Sequence, residues 1–242
     1  MVLLDVSVTL PPGQKAVGPP GVMVGVAGAG CGGGPPAEPP AGAQEVSIPT
    51  EDGETLSAMV IGDGPTGVVV VHGANASRAN WYDAGGTIAA SGGLTVVMID
   101  LRGYGASTGE RRTHLDLDIE AAARWVAHRP GVERVAYAGS SMGATAVLAV
   151  AARHPDEVAG VVGLSPPEAS AGLDALSGAA SLHMPLLLAA AEGDTTYAAS
   201  TRRIAAAAGV EPEIVAGNGH GTGMFADHPD LVERIGTFLS SL

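Results

Sequence analysis

Four short motifs carry the residue types of nucleophilic catalysis. In chain order they are His72-Gly73-Ala74, Gly139-Ser140-Ser141-Met142-Gly143, Asp194, and Gly219-His220-Gly221. A serine hydroxyl is a poor nucleophile near neutral pH unless a base takes its proton. An imidazole can be that base, and a carboxylate can fix its tautomer and stabilise the imidazolium that forms. Ser141, His220 and Asp194 fit these three roles. The turn His72-Gly73-Ala74 can offer a backbone N–H to a developing oxyanion, and the residue after the nucleophile offers another. Those donors would come from Ala74 and Met142.

The serine motif alone is weak. Glycine makes up 36 of 242 residues, so chance placement alone gives about 0.3 matches to Gly-x-Ser-x-Gly. A second match exists at Gly105-Ala106-Ser107-Thr108-Gly109. A nucleophile elbow needs a strand before the serine and a helix after it. Before Ser141 lies a short buried-strand pattern over 132–138. After it lies an apolar, alanine-rich helix over 142–153 that stops at His154-Pro155. Ser107 is separated from its strand by Arg102, Gly103 and Tyr104, and Glu110-Arg111-Arg112-Thr113-His114 follows with no apolar stripe. Context favours Ser141.

The elements around these motifs alternate. A hairpin is expected from strands over 45–49 and 55–61 around Asp52-Gly53. Buried strands are expected over 67–71, 94–99, 132–138, 158–164 and 185–191, with a short one at 213–215. Helices are expected over 78–91, 116–128, 142–153, 197–208 and 231–239. The interval from Ser165 to Met184 has room for one crossover helix, over 169–181. Such alternation predicts an α/β domain with a mostly parallel sheet and helices on both faces. Ligands bind such sheets at the carboxyl ends of the strands. His72, Ser141, Asp194 and His220 all fall just after expected strands.

Residues 45–242 resemble the α/β-hydrolase superfamily, in its lidless esterase and dienelactone-hydrolase-like part. The resemblance rests on Val68-Val69-Val70-Val71-His72-Gly73-Ala74, Asp100-Leu101-Arg102-Gly103-Tyr104-Gly105-Ala106-Ser107, Gly139-Ser140-Ser141-Met142-Gly143, Ala191-Glu192-Gly193-Asp194 and Gly219-His220-Gly221. It implies a Ser141–His220–Asp194 triad, no cap domain, no cofactor or metal, and a small-molecule ester as substrate. Amide or peptide cleavage and cofactor-free haloperoxidase-like chemistry remain alternatives on the same triad; a non-catalytic surface lipoprotein that keeps the fold is a third. Haloalkane and epoxide hydrolysis are disfavoured, because those relatives place Asp at the nucleophile. For the acid, Glu192 is the nearest rival to Asp194, and Asp174 a weaker one. His72 is expected to hold its turn and Arg102 to pair locally. Trp81, Met224 and Phe225 fit either core or pocket wall.

The remaining composition narrows the partners. A net charge of −13 disfavours nucleic acid, which selects a basic stripe. One cysteine, Cys31, excludes an internal disulfide and a cysteine-based zinc site. Aromatics are only 3% of the chain, so Val, Leu, Ile and Ala must build the core. Residues 1–44 differ from the rest. Repeated Pro-Pro and Gly-Gly pairs rule out ordinary helix or strand there. An apolar stretch ending in Ala29-Gly30-Cys31 resembles a bacterial lipoprotein signal, which would attach the chain to a membrane through Cys31. A disordered tail is the other reading. The first places the protein at the cell surface or outside the cell, the second in the cytoplasm.

Overall fold

The computed structural model describes residues 37–242. Cys31 and the expected lipidation signal lie outside the described residues. Along the chain run β1 (Gln44–Pro49), β2 (Thr55–Ile61), β3 (Thr66–Val71), α1 (Tyr82–Ala90), β4 (Leu94–Ile99) and α2 (Leu115–Ala127). Then come β5 (Arg134–Ser140), α3 (Met142–Arg153), β6 (Val158–Leu164), the short strands β7 (Ala169–Ser170) and β8 (Leu173–Asp174), and α4 (Ala175–Gly178). The chain closes with β9 (Leu186–Ala191), α5 (Thr195–Ala208), β10 (Glu213–Val215) and α6 (Pro229–Ser240).

Eight strands form one sheet in the order β1-β2-β4-β3-β5-β6-β9-β10. β1 and β2 pair antiparallel, as do β2 and β4, while every later pairing is parallel. This is the mostly parallel α/β sheet expected. All six residues of β3 and all six of β4 are buried, as a parallel strand covered on both faces requires. The pleat sends alternate side chains to opposite layers. Val69, Val71, Val97 and Ile99 join one core cluster with α2, α3 and α5. Val68, Val70, Val96 and Met98 join the other with α1 and α6. Small β-branched and alanine side chains thus hold both layers close to the sheet.

Two expected elements differ. The helix expected over 78–91 opens as a 3-10 turn, Arg78–Trp81, capped by the Ser77 side chain on the Ala79 N–H. The helix expected over 169–181 is only half present. Ala171 and Gly172 both have positive φ, the two-residue turn of a hairpin, so residues 169–174 fold as the β7–β8 ribbon. Only Ala175–Gly178 and a 3-10 turn at Ala179–Ser181 remain helical. That short piece packs on α3 and α5, so this interval builds no cap domain.

Candidate active site

Ser141 sits between the last residue of β5 and the first of α3, with φ 53° and ψ −121°. A residue with a Cβ reaches this region only under strain, which surrounding structure must offset. Here the Ser141 N–H donates to Leu164 O at 2.8 Å, and the Ser141 carbonyl accepts from Thr145 N at 3.0 Å. The flanking glycines let the turn close. A Cβ on Gly139 would stand 2.5 Å from Gly143 O. A Cβ on Gly143 would stand 2.6 Å from the carbonyl oxygens of both Val71 and His72. The motif therefore needs no side chain at either position, because the helix start lies directly over its own strand and over β3.

His220 follows β10 and precedes the 3-10 turn Gly221–Ala226. Its Nε2 lies 2.8 Å from Ser141 Oγ and its Nδ1 2.7 Å from Asp194 Oδ2. A carboxylate can only accept, so Nδ1 carries the proton and Nε2 accepts from the Ser141 hydroxyl. Asp194 occupies the N-cap position of α5 without making a side-chain cap bond. Its carboxylate is directed to His220 instead, beside the positive end of the helix dipole. The loops after β9 and β10 are tied together by Glu192 N to Val215 O at 2.7 Å and Gly193 N to Gly217 O at 2.8 Å.

The rivals lie elsewhere. Glu192 is exposed and makes no hydrogen bond or ion pair with His220. Asp174 caps α4 through Ser177 N at 2.9 Å. Ser107 accepts from Ser57 N at 2.8 Å and donates to Asp100 O at 2.6 Å, so it is a structural clamp. His128 and His228 bond to backbone carbonyls of Arg124 and Ala216, and His154 faces Glu120 and Glu157. Trp81 and Met224 are buried core residues, whereas Phe225 is half-buried: it packs edge-on against Trp81 at 5.7 Å and lines an open groove with Asn80, Thr87 and Val232.

The turn after β3 is braced by two rings. His72 Nδ1 donates to Gly73 O at 2.7 Å, and its Nε2 accepts from Leu101 N at 3.1 Å. Burial pushes its pKa down, in keeping with a neutral imidazole that both donates and accepts. Tyr104 packs edge-on to His72 and donates its hydroxyl to Ala74 O at 2.7 Å. Among the described residues, neither the Ala74 N–H nor the Met142 N–H donates to a protein acceptor. Met142 is the first residue of α3, where amides lack helical partners. Arg102 pairs locally, with the fully buried Asp118 and with Asp52.

Three contributors escaped the sequence. The hydroxyl of Ser165 accepts from Gly221 N at 3.0 Å, and that of Ser140 from Thr222 N at 3.2 Å. Tyr197 lays its ring against His220, with centroids 4.2 Å apart. The place of Tyr197 three residues after Asp194 was the one available signal. The serines gave none, since their partners are more than 50 residues away.

No group of three His, Cys, Asp or Glu able to hold a metal occurs among the described residues. His220 is 39% exposed and Asp194 14%, so the cluster opens to solvent.

This chain is similar to several known sequences and structures. It is 29% identical to an uncharacterized protein of Mycobacterium tuberculosis over 231 residues, covering 83% of this chain and 80% of that one. Over 113 residues it is 34% identical to epoxide hydrolase B of the same organism, covering 46% of this chain and 32% of that one. An esterase of Pyrococcus furiosus superposes with a TM-score of 0.71 at 21% identity, covering 82% of this chain and 92% of that one. Residues 67–210 match the model of the alpha/beta hydrolase fold, and the chain belongs to that family.

Proposed function

We propose that the protein is a serine hydrolase that acts on small carboxylic esters through an acyl-enzyme. The observation that carries this reading is the single imidazole of His220 bridging Ser141 Oγ and Asp194 Oδ2. Ser141 Oγ attacks the ester carbonyl carbon as its proton passes to His220 Nε2. The carbonyl π pair moves to oxygen, and the N–H groups of Ala74 and Met142 receive the oxyanion. Asp194 remains ionised and balances the imidazolium. Collapse re-forms the carbonyl and breaks the bond to the alcohol oxygen, which takes the proton from Nε2. Water then repeats the sequence: it gives a proton to Nε2, attacks the acyl carbon and releases the acid, and the proton returns to Ser141 Oγ.

The open site supports small substrates. No inserted domain stands between β6 and β9, and the segment there packs on α3 and α5. With no inserted cover among the described residues, they form no water-excluded tunnel for a long acyl chain. Amide cleavage and haloperoxidase-like chemistry would use the same three groups; the substrate panel separates the first from ester cleavage, and a halogenation assay with peroxide and halide separates the second. Epoxide opening is disfavoured by a hydroxyl, rather than a carboxylate, at position 141.

The test is turnover of a panel of p-nitrophenyl esters, amides and epoxides. Ester turnover is expected to fall by several orders of magnitude in Ser141→Ala and in His220→Ala. The double variant should be little worse than either, since the residues act as a unit. Ester turnover unchanged in Ser141→Ala would overturn the reading.

A further inference from the structure

The bonds that define the triad leave one motion of the base unrestrained. Hydrogen bonds at Nδ1 and Nε2 fix the line joining the two nitrogens of His220, but the ring can still rock about that line. The backbone on either side of His220 is held, with Gly221 N on Ser165 Oγ and Gly223 N on the His220 carbonyl, but the side chain is 39% exposed and can turn about its own bonds. Tyr197 occupies one side of that rocking path. Its ring centroid is 4.2 Å from that of the imidazole, with the planes inclined at 55°.

The placement follows from the helix. Asp194 is the N-cap of α5 and Tyr197 lies one turn on, its N–H donating to Asp194 O at 3.0 Å. Side chains in a helix lean toward its N-terminus. A residue at this position therefore leans over the cap, where the Asp194 carboxylate meets His220. One helical turn presents both the acid and the ring to the same imidazole.

We infer that Tyr197 is a positioning residue for His220, and that its ring face stabilises the imidazolium formed when Ser141 gives up its proton. The inference rests on the serine-hydrolase reading and deepens it. An aromatic face carries negative quadrupole charge and attracts a cation set against it. The neutral imidazole gains less, so the contact strengthens as proton transfer proceeds. The hydroxyl has no part in this. Other charges near the base are Asp194, the exposed Glu192 on the same loop, and Asp227, which lies beside Gly217. None of them changes when Tyr197 is replaced.

The test is the rate at which a fluorophosphonate labels Ser141, followed against pH with the full-length protein. This readout needs no knowledge of the substrate. Tyr197→Phe keeps the ring and is expected to match the wild type. Tyr197→Leu is expected to label about three- to tenfold more slowly at the plateau. Its acid limb should move to lower pH by about half a unit, because a less stable imidazolium leaves the base neutral at lower pH. Ester kinetics should show the loss in kcat with KM unchanged. If Tyr197→Leu melts too low to assay, Tyr197→Met takes its place, and Tyr197→Phe must still match the wild type. A Leu or Met variant with wild-type rate and profile overturns the inference, as does a Phe variant impaired as much as Leu. A wild-type protein that takes no label removes the serine-hydrolase reading itself, a result distinct from either.

Discussion

The hydroxyl of Ser165 accepts the N–H of Gly221 at 3.0 Å, across 56 residues of chain. The end of β6 thereby holds the loop that presents His220. Ser165 is fully buried and has φ 48°, a strained conformation for a residue with a Cβ. Ser165→Ala should leave the Gly221 N–H buried and unpaired, a loss of about 1–3 kcal/mol in stability. Chemical denaturation measures it. A small shift of the imidazole would also lower kcat by about tenfold with KM little changed. Wild-type values for both stability and kcat would show that the loop holds its register without this bond.

Asp194 and Glu192 make a sharp pair of variants, because only Asp194 reaches His220. Asp194→Asn should fold normally yet favour the wrong imidazole tautomer. Ester turnover should then drop by up to ~10⁴-fold, as in serine proteases whose triad acid is so replaced. Glu192→Gln should be close to wild type. The reverse pattern would make Glu192 the acid.

Arg102 sits between two carboxylates whose titrations are displaced in opposite directions. Burial pushes Asp118 up to about 6, against the pull of Arg102. Hydrogen bonds from Arg102 and then Thr50 hold the exposed Asp52 well below the usual carboxylate range. The signs follow from linkage. Between its unfolded value of about 3.9 and its folded value of about 6, Asp118 is protonated mainly in the folded state. Its contribution to stability therefore declines as pH rises through that window. Asp52 behaves oppositely: its contribution is present above about pH 4 and lost as pH falls below it. The stability difference between wild type and Asp118→Asn should narrow from pH 4 to pH 6. The difference for Asp52→Asn should stay level above pH 5 and shrink below pH 4. Urea melts across pH measure both, and parallel trends in the two variants would contradict the assignment.

The exposed cluster predicts a preference for short acyl chains. Across p-nitrophenyl esters from C2 to C16, kcat/KM should peak at acetyl or butyryl, with no jump at substrate micelle formation. A maximum at C12 or beyond would mean that another segment covers Ser141.

Much of this site was legible because its parts are local. A strand, a turn flanked by Gly139 and Gly143, and an alanine-rich helix are all contiguous, so Ser141 could be told from Ser107 by context alone. The buried runs 67–71 and 94–99 announce their strands because a parallel sheet covered on both faces tolerates only apolar side chains. Chain order then selected Asp194 and His220. What escaped is tertiary. The positive φ of Ala171 has no residue signature, so the sequence there reads as the start of a helix where the chain forms a ribbon. Ser140 and Ser165 act on amides more than 50 residues away. Tyr197 matters through the ring it touches, and periodicity along α5 does not reveal that.

Whether Ser141 is a nucleophile activated by His220 is decided by covalent trapping. The intact protein is treated with a fluorophosphonate, digested, and the modified residue located by mass spectrometry. One phosphonylated site is expected, at Ser141, absent in Ser141→Ala and formed far more slowly in His220→Ala. Labelling at Ser107, or no labelling of the folded wild-type protein, would contradict it.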